Sequence, residues 1–446
     1  MNFRAFWNEL KHYPSAIAGL AVIILFVSIA IYAMFAMPPW HASELWRGGD
    51  RVWRASPRNA RPIWFNALPW HNEPVTEVLS TVESPELKEV EATSATQTEK
   101  RIRFTFDYPY DGFPRELSLF FTSEYEERRP FVRVRWNTPD GRSFVIADQA
   151  IRRSESIRID QEDRVRRRVG GVHPRIGLFS DPEFEEPRPL KGEYEVVIEG
   201  YTFEDESTIE ATFVRYGQVH GIAGTDHRRR DIGVALLAGT PIALSFGLIA
   251  AVGSSITTLI IAAWGVWFGG FRDAAVQRIT ELNLILPILP ILVMIGTFYS
   301  RSLWVMLTAV VLLSIFSAGV KTYRAMLLQV KELPYIEAAR AYGAGDLRII
   351  FRYLIPKVLP TLVPGFVTVI PTFVFLEATL ALLGLGDPIL PTWGKVLEDA
   401  YQNGALYNGY YYWVLLPSGL LIFSGLGFAM FGFALDRIFN PRLRGM

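Results

Sequence analysis

"PYIEAARAYGAGDLRIIFRYLIPKVLP", residues 334–360, lies between two long apolar runs. It carries too much charge to cross a bilayer and is too short to form a domain. Pro334 suits the first turn of a helix, and Glu337 near that end complements the helix dipole. Tyr335, Ala338, Ala339 and Tyr342 recur at i, i+3, i+4 and i+7, giving one modest face of small and aromatic groups. Gly343 and Gly345 stop the helix, one of them in the left-handed conformation. Asp346 is placed to cap a second helix. There Leu347, Ile350, Phe351 and Leu354 share one face and Arg348 and Arg352 another, and Pro356 leads into the next apolar run. Two such short helices at a sharp angle are not stable alone and need a partner surface.

The flanking runs set the context. Ser15–Met37, Gly233–Phe271, Leu282–Ser300, Ser302–Val320 and Ala400–Leu435 are free of charge, and Val358–Gly386 holds only Glu377. A helix needs about 20 apolar residues to cross the hydrocarbon core, so the chain reads as six transmembrane helices. The first run could instead be a cleaved signal peptide, but it is long for one, and "AMFAMPPW" offers no small-x-small cleavage site. It is taken as an anchored span, 15–37. Gly233–Phe271 exceeds one span and reads as a short in-plane helix, a turn at Pro241 and then a full span. Gly247, Gly253, Ser254 and Ser255 in it suit close helix contact.

Lys and Arg choose the side. With the N-terminus inside, the short inner segments hold 14 of them and the short outer segments only Arg301 and Lys395. The expected layout is a cytoplasmic N-terminus (1–14), an extracytoplasmic segment (38–223), an in-plane scaffold segment (224–241), helices 2–6 within 242–435, an inner loop at 321–357 and a cytoplasmic C-terminus (436–446). Residues 41–224 have a net charge of −6 and the remainder +6, a soluble domain beside a membrane one.

The outer segment is β-rich from about residue 100. Apolar and polar residues alternate in "RIRFTFDY" (101–108), "ELSLFF" (116–121), "FVRVRW" (131–136), "EYEVVIEGY" (193–201) and "TIEATFV" (208–214), with "TPDG" (138–141) as a turn. Five or more antiparallel strands suggest a sandwich or small barrel. Residues 38–98 read as irregular. "RRSESIRIDQEDRVRRR" (152–168) reads as a solvated face, because its acids interleave with its bases and it faces outward, which argues against nucleic acid.

Several chemistries are excluded or unsupported. There is no cysteine, hence no disulfide or thiolate metal site. The six histidines (12, 41, 71, 173, 220, 227) lack metal-ligand spacing, and no Gly-x-Ser-x-Gly elbow is present. No Gly-x-x-x-x-Gly-Lys-Ser/Thr loop occurs, so the chain carries no ATPase motif of its own. Asp273, Arg278 and Glu281 read as inner-surface contacts. Glu377 is the one carboxylate within a span. A buried carboxylate there marks either a pathway residue meeting a cationic solute or an acid hydrogen-bonded to a neighbouring helix.

"EAARAYGAGDLRIIFRYLIP" resembles the EAA loop of ABC-importer permeases, with Glu337, Ala338, Ala339, Gly343 and Pro356 matching in type and spacing. Tyr353 and Ile355 replace the usual Ile and Leu. "GTDHRRRDI" (224–232) is similar to the Gly-Thr-Asp-x-x-Gly-Arg-Asp signature of dipeptide, oligopeptide and nickel permeases, through Gly224, Thr225, Asp226, Arg230 and Asp231, with Arg229 in the place of its glycine. "FGGFRDAAVQRITELNLILP" (268–287), "FLEATLALLGLG" (375–386), "PTWG" (391–394) and "NPRLR" (440–444) resemble the family's further inner and outer segments. The resemblance covers the first span and residue 224 onward, not the 38–223 insert.

It implies a type I importer fold: an all-α polytopic membrane domain, here with a large extracytoplasmic, mainly-β insert between helices 1 and 2. It implies a permease for peptides or a similar small solute (nickel complexes and opines included), partnered by a homologous second permease, two ATPase subunits, an extracytoplasmic substrate-binding protein and membrane lipid, in a prokaryotic inner membrane. ATP and Mg would sit on the ATPase subunits, with no cofactor on this chain. Glu337, Ala338, Ala339, Gly343, Gly345, Asp346 and Pro356 would couple to the ATPases. A membrane-anchored receptor or adhesion protein would explain the insert but not the six spans. An ion-driven secondary transporter should show more intramembrane charge and an inverted repeat.

Overall fold

A computed structural model describes residues 8–94, 97–204 and 206–439. Contacts divide the chain into Gly48–Gly233 and a helical unit made of the flanking segments. "NPRLR" (440–444) lies outside the described residues.

The first unit is a β-sandwich, its strands named in chain order: β1 (Glu77–Ser80), β2 (Lys88–Ser94), β3 (Gln97–Tyr108), β4 (Glu116–Glu124), β5 (Phe131–Asn137), β6 (Ser143–Ala150), β7 (Ser154–Arg158), β8 (Gly192–Thr202) and β9 (Thr208–Tyr216). Two antiparallel sheets, ordered β1-β9-β4-β7 and β2-β3-β8-β5-β6, build it. Register keeps one face of each strand inward. Leu119 of β4 lies opposite Phe213 of β9, and Val196 of β8 sits between Phe104 of β3 and Trp136 of β5. The centre is aromatic: Phe106 stacks on Tyr194 at 5.7 Å, and Trp136 meets Phe179 edge-on at 5.3 Å. The "TPDG" turn closes the β5–β6 hairpin, with Gly141 at φ 82° and the Thr138 N–H donating to the Arg142 carbonyl at 3.0 Å.

Two segments differ from expectation. Residues 38–98 are not irregular throughout, since they hold a helix, Pro39–Arg47, and strands β1 and β2. Residues 152–168 are not wholly solvated. Ile157, Ile159 and Val165 turn into the core while the intervening charges stay outside.

In the helical unit the helices are α1 (Pro14–Ala36), α2 (Pro39–Arg47), α3 (Ile232–Phe268), α4 (Gly270–Ile285), α5 (Ile288–Phe298), α6 (Leu303–Ile315), α7 (Ala318–Lys331), α8 (Pro334–Ala341), α9 (Asp346–Ile349), α10 (Ile355–Leu380), α11 (Trp393–Gln402) and α12 (Tyr411–Phe439). Among the described residues four helices are long and apolar enough to cross a membrane: α1, α3, the continuous stretch Asp346–Leu385 and α12. The pairs α4–α5 and α6–α7 pass the same test only jointly, bent by 79° and 47°. The uncharged runs 282–300 and 302–320 are thus not straight spans.

The two breaks differ in what supports them. Pro287 forces Leu286 out of the helical region, to ψ 129°. At Phe316–Ser317 the carbonyls freed by the break are taken from afar: Thr258 Oγ1 donates to Ile315 O at 2.7 Å, and Asn283 Nδ2 donates to Leu313 O and Phe316 O at 3.0 and 3.1 Å.

The expected turn at Pro241 is absent, and α3 runs unbroken through it for 37 residues. Packing holds the helix there. The Leu236 carbonyl accepts from Thr240 Oγ1 and from the Trp393 indole, both at 2.9 Å, and Gly239 lies directly against Trp393. Small residues allow the closest crossing elsewhere. A Cβ on Gly19 of α1 would stand 2.7 Å from the Gly427 carbonyl of α12.

Candidate functional site

The helix–glycine–helix element is built as a Schellman stop. Pro334 occupies the first turn of α8, with Glu337 in that turn. Gly343 takes φ 76°, the Ala344 N–H donates to Ala339 O at 3.0 Å, and the Gly343 N–H donates to Arg340 O at 2.9 Å. Gly345, at φ −70°, rather than Asp346, is the N-cap of α9, and Asp346 is the first helical residue.

Its faces differ from those read off the spacing. Ile336 and Ala339 face inward, whereas Ala338 and Tyr342 are exposed. In the second helix Ile349, Ile350 and Leu354 are buried, while Leu347 and Phe351 point out. Nor does that helix stop before the next span. It passes through a π turn, Ile350–Leu354, directly into α10. Pro356 has no N–H to give the Arg352 carbonyl, and the widened turn lies just ahead of it.

The underside packs into one apolar cluster with Leu259, Ala262, Ala263 and Val266 of α3, Val276 of α4 and Val320 and Leu327 of α7. At the centre of the attachment is Trp267, near the C-terminal end of α3. Its indole N–H donates to Asp346 Oδ1 at 3.0 Å, and the Arg340 guanidinium lies 4.3 Å from its ring centroid. Lys331 Nζ donates to the Val266 and Trp267 carbonyls at 2.7 and 3.3 Å, satisfying a helix end and complementing its dipole. α4 and α7 are joined by a bidentate pair, Arg324 Nε and Nη2 on the Asp273 carboxylate at 2.6 to 3.0 Å. Arg278 and Lys321 reach Glu281 at 3.2 and 3.6 Å. The spacing of Asp273 and Glu281 suggests surface contacts, but Trp267, Arg340 and Lys331 carry no local pattern that would single them out.

Glu377 is 5% exposed, with the Thr392 hydroxyl as hydrogen-bond partner. Thr392, itself fully buried, N-caps α11 by accepting from the Lys395 N–H at 3.2 Å. Asp387 accepts from the Leu303 N–H at 2.9 Å at the start of α6. Gly384 takes φ 81° inside a second π turn, and a Cβ on Gly394 would press on Ala378 and Ala381 at 2.7 Å. The cavity beside Glu377 measures about 10 Å³, room for no more than a water.

Residues 224–231 form a loop buried at Gly224, Thr225, Asp226, Arg229 and Arg230, with Arg228 exposed. Asp226 is fully buried; its Oδ1 accepts from the Arg228 and Arg230 N–H groups at 2.8 and 2.9 Å, and its Oδ2 from Arg230 Nε at 2.6 Å. Thr225 Oγ1 donates to Pro57 O at 2.7 Å and accepts from the Ala60 N–H at 2.9 Å. Gly224 takes φ 78°, and Asp231 Oδ1 accepts from the Gly233 N–H at 2.7 Å. Arg229 adopts φ 68°, a left-handed conformation that suits a glycine. Its guanidinium donates to Ser56 O at 2.8 Å, pairs with Glu116 and lies 4.3 Å from the Tyr216 ring centroid. Burial pushes the His220 imidazole below the usual histidine range, against the pull of Asp231.

Broken apolar helices, polar side chains closing the breaks and a charged element folded against the helix ends define a polytopic membrane protein with a built contact surface. Residues 235–445 match the family described as the binding-protein-dependent transport system inner membrane component. A putative peptide transport system permease protein of Brucella suis biovar 1 is 33% identical over 227 residues, covering 50% of this chain and 73% of that protein. The oligopeptide transport system permease protein OppC of Bacillus subtilis is 29% identical over 226 residues, covering 50% and 72%. The MetNI methionine ABC transporter, in inward-facing form, aligns at a TM-score of 0.33 and 21% identity, over 46% of this chain and 95% of that one. The chain belongs to the inner-membrane permease family of ATP-binding-cassette importers, the component distinct from the ATPase.

Proposed function

We propose that this chain is one of two homologous permease subunits of a type I importer for peptides or a similar small solute, and that residues 334–356 receive the motion of the ATPase subunits. The observation that carries this is an anchored element with an apolar outer side. Tyr342, Leu347 and Phe351 are 94%, 65% and 52% exposed, while Ile336, Ile349 and Ile350 beneath them are buried. Large apolar groups held outward over a packed base suit a protein partner. Because α9 continues through a π turn into α10, a push on the element displaces a span directly, and the Trp267 attachment passes the same push to α3.

In this reading each bent pair is one span, giving six, with the termini and the 321–357 region inside and the insert outside, as the excess of inner Lys and Arg favours. ATP and Mg belong to the ATPase partners, and a substrate-binding protein delivers cargo. Glu377 holds the α10 end to the 391–394 segment through Thr392 rather than meeting solute. The Asp226 loop is a structural brace.

Since the chain has no cysteine, Tyr342→Cys gives a single reactive position. In the assembled importer it should cross-link to an ATPase subunit and be shielded from a water-soluble maleimide. Equal labelling with and without the ATPases, and no cross-link, would refute the coupling role.

A further inference from the structure

The outer face of the β-sandwich holds a cavity of about 230 Å³ that the transport reading does not use. β4 and β7 form its base, with Phe120 opposite Ser156 and Ser118 opposite Arg158. Leu119 and Ile157 between them point the other way, into the core. The segment Arg54–Arg58 covers the base. Its backbone is pinned at three points: the Tyr216 hydroxyl donates to Arg54 O at 2.6 Å, Arg229 donates to Ser56 O at 2.8 Å, and Thr225 Oγ1 donates to Pro57 O at 2.7 Å. The Arg54 guanidinium lies 4.6 Å from the Phe120 ring centroid. The walls are therefore in place without a ligand.

The charge in this cavity is unbalanced. Arg54, Arg58 and Arg158 line it, and none has an ion-pair partner among the described residues. Arg58 Nε is buried with no hydrogen-bond acceptor, an arrangement that is costly unless something supplies one. Glu155 is the one carboxylate in the lining, and its ion-pair partner is Arg152, at 4.0 Å. Arg229, also at the wall, is already engaged by Glu116. Ser118 and Ser156 add hydroxyls between the arginines. Forked guanidinium donors with interleaved hydroxyls match the acceptor geometry of a carboxylate or phosphate, and the volume limits the guest to a small molecule.

We propose that this cavity of the β domain binds a small oxyanionic solute through Arg54, Arg58 and Arg158. The test is calorimetric titration of the purified full chain in lipid nanodiscs, with citrate and inorganic phosphate in separate experiments at low ionic strength. At least one should bind saturably at a single site, and which of them does so tells carboxylate from phosphate. The double variant Arg58→Gln/Arg158→Gln should weaken that binding at least tenfold. Arg103→Gln, on the other sheet and paired with Glu195 at 3.2 Å, should leave it unchanged. Should the double variant not fold, Ser156→Trp, at an exposed position, fills the cavity and should abolish binding. The proposal is overturned if neither anion binds saturably, if Arg103→Gln weakens binding as much as the double variant, or if Ser156→Trp binds normally.

Discussion

Gly343 offers the sharpest test of how the coupling element is made. Its φ is 76°, and no atom lies within 4 Å of the position a Cβ would take. A substitution there meets no wall, so its cost is that of the backbone alone. An L-residue forced into the left-handed region loses about 1 kcal/mol for Ala and about 2 kcal/mol for a β-branched residue. Asn visits that region readily and should lose least. Because about 1.4 kcal/mol is a tenfold change in an equilibrium, Gly343→Ala should reduce the population of the closed turn about fivefold and Gly343→Val about thirtyfold. The core beneath, through Ile336 and Ile349, stays intact, so the thermal stability of the chain should hardly move. The assay is peptide uptake per ATP hydrolysed by the importer reconstituted in liposomes. Coupling should fall in the order Gly, Asn, Ala, Val, with hydrolysis falling less than uptake. If Asn uncouples as severely as Val, side-chain bulk at the partner surface matters and the backbone reasoning is refuted. Full coupling in Gly343→Val would refute the element's role as well.

Trp267→Ala should destabilise the helical unit by about 3–5 kcal/mol, whereas Trp267→Phe keeps most of the packing, loses the bond to Asp346 and should cost about 1 kcal/mol; denaturation of the two variants in detergent separates these effects. The Asp273–Arg324 pair is partly exposed, so a double-mutant cycle with Asp273→Asn and Arg324→Gln should give a coupling of about 1 kcal/mol or less, and a markedly larger value would mean the pair is shielded in the membrane. Glu377→Gln, which retains an acceptor for Thr392, should transport at near the normal rate, while Glu377→Leu should not; a dead Gln variant with normal folding would instead favour a pathway carboxylate. Burial, joined at His173 by the Arg175 charge, holds His173 and His220 below the ordinary histidine range. As pH falls below about 6.5, the unfolded β domain takes up protons that the folded one refuses, so stability should decline toward lower pH. Protection factors of the β8 and β9 amides, the exchange rates divided by those of unprotected peptide at the same pH, read this at pH 7.5 and 5.5, and stronger protection at pH 5.5 would contradict it.

The β domain was legible wherever burial alternates with exposure. "FVRVRW" and "TIEATFV" place Val132, Val134 and Trp136, and Ile209, Ala211 and Phe213, inward with the expected period. β7 escaped because charges at Arg152, Arg153, Glu155 and Arg158 hide a single inward Ile157, whose partner Leu119 lies far away in sequence. The faces of α8 were misread for a similar reason. Ile336 is buried by α3 and α7, and the local spacing of Tyr335, Ala338 and Tyr342 carries no trace of those neighbours.

Proline shows why the helical unit resisted a purely local reading. Pro241 and Pro287 present the same defect, a missing donor and a ring against the preceding turn, yet α3 continues through one while the chain bends by 79° at the other. The bend at Phe316–Ser317 has no proline at all. What distinguishes these places is the set of groups that distant residues supply. Around Pro241 the helix is held by packing: Gly239 admits Trp393 against it, and the Trp393 indole binds the Leu236 carbonyl, one residue before the Leu237 carbonyl that the missing donor faces. Around Phe316, Thr258 and Asn283 take the carbonyls that the break sets free. In hydrocarbon an unpaired carbonyl costs several kcal/mol, more than the intrinsic preference of any single residue other than proline. The course of these helices therefore follows from what remote side chains supply: packing of Trp393 on Gly239 beside Pro241, and donors to the freed carbonyls at Phe316. Removing those hydroxyl and amide groups, through Thr258→Val and Asn283→Leu, should straighten α6–α7 or unfold it. Spin labels at Thr308 and Gln329 measure the angle, and a bend unchanged in the folded double variant would show that it owes nothing to them.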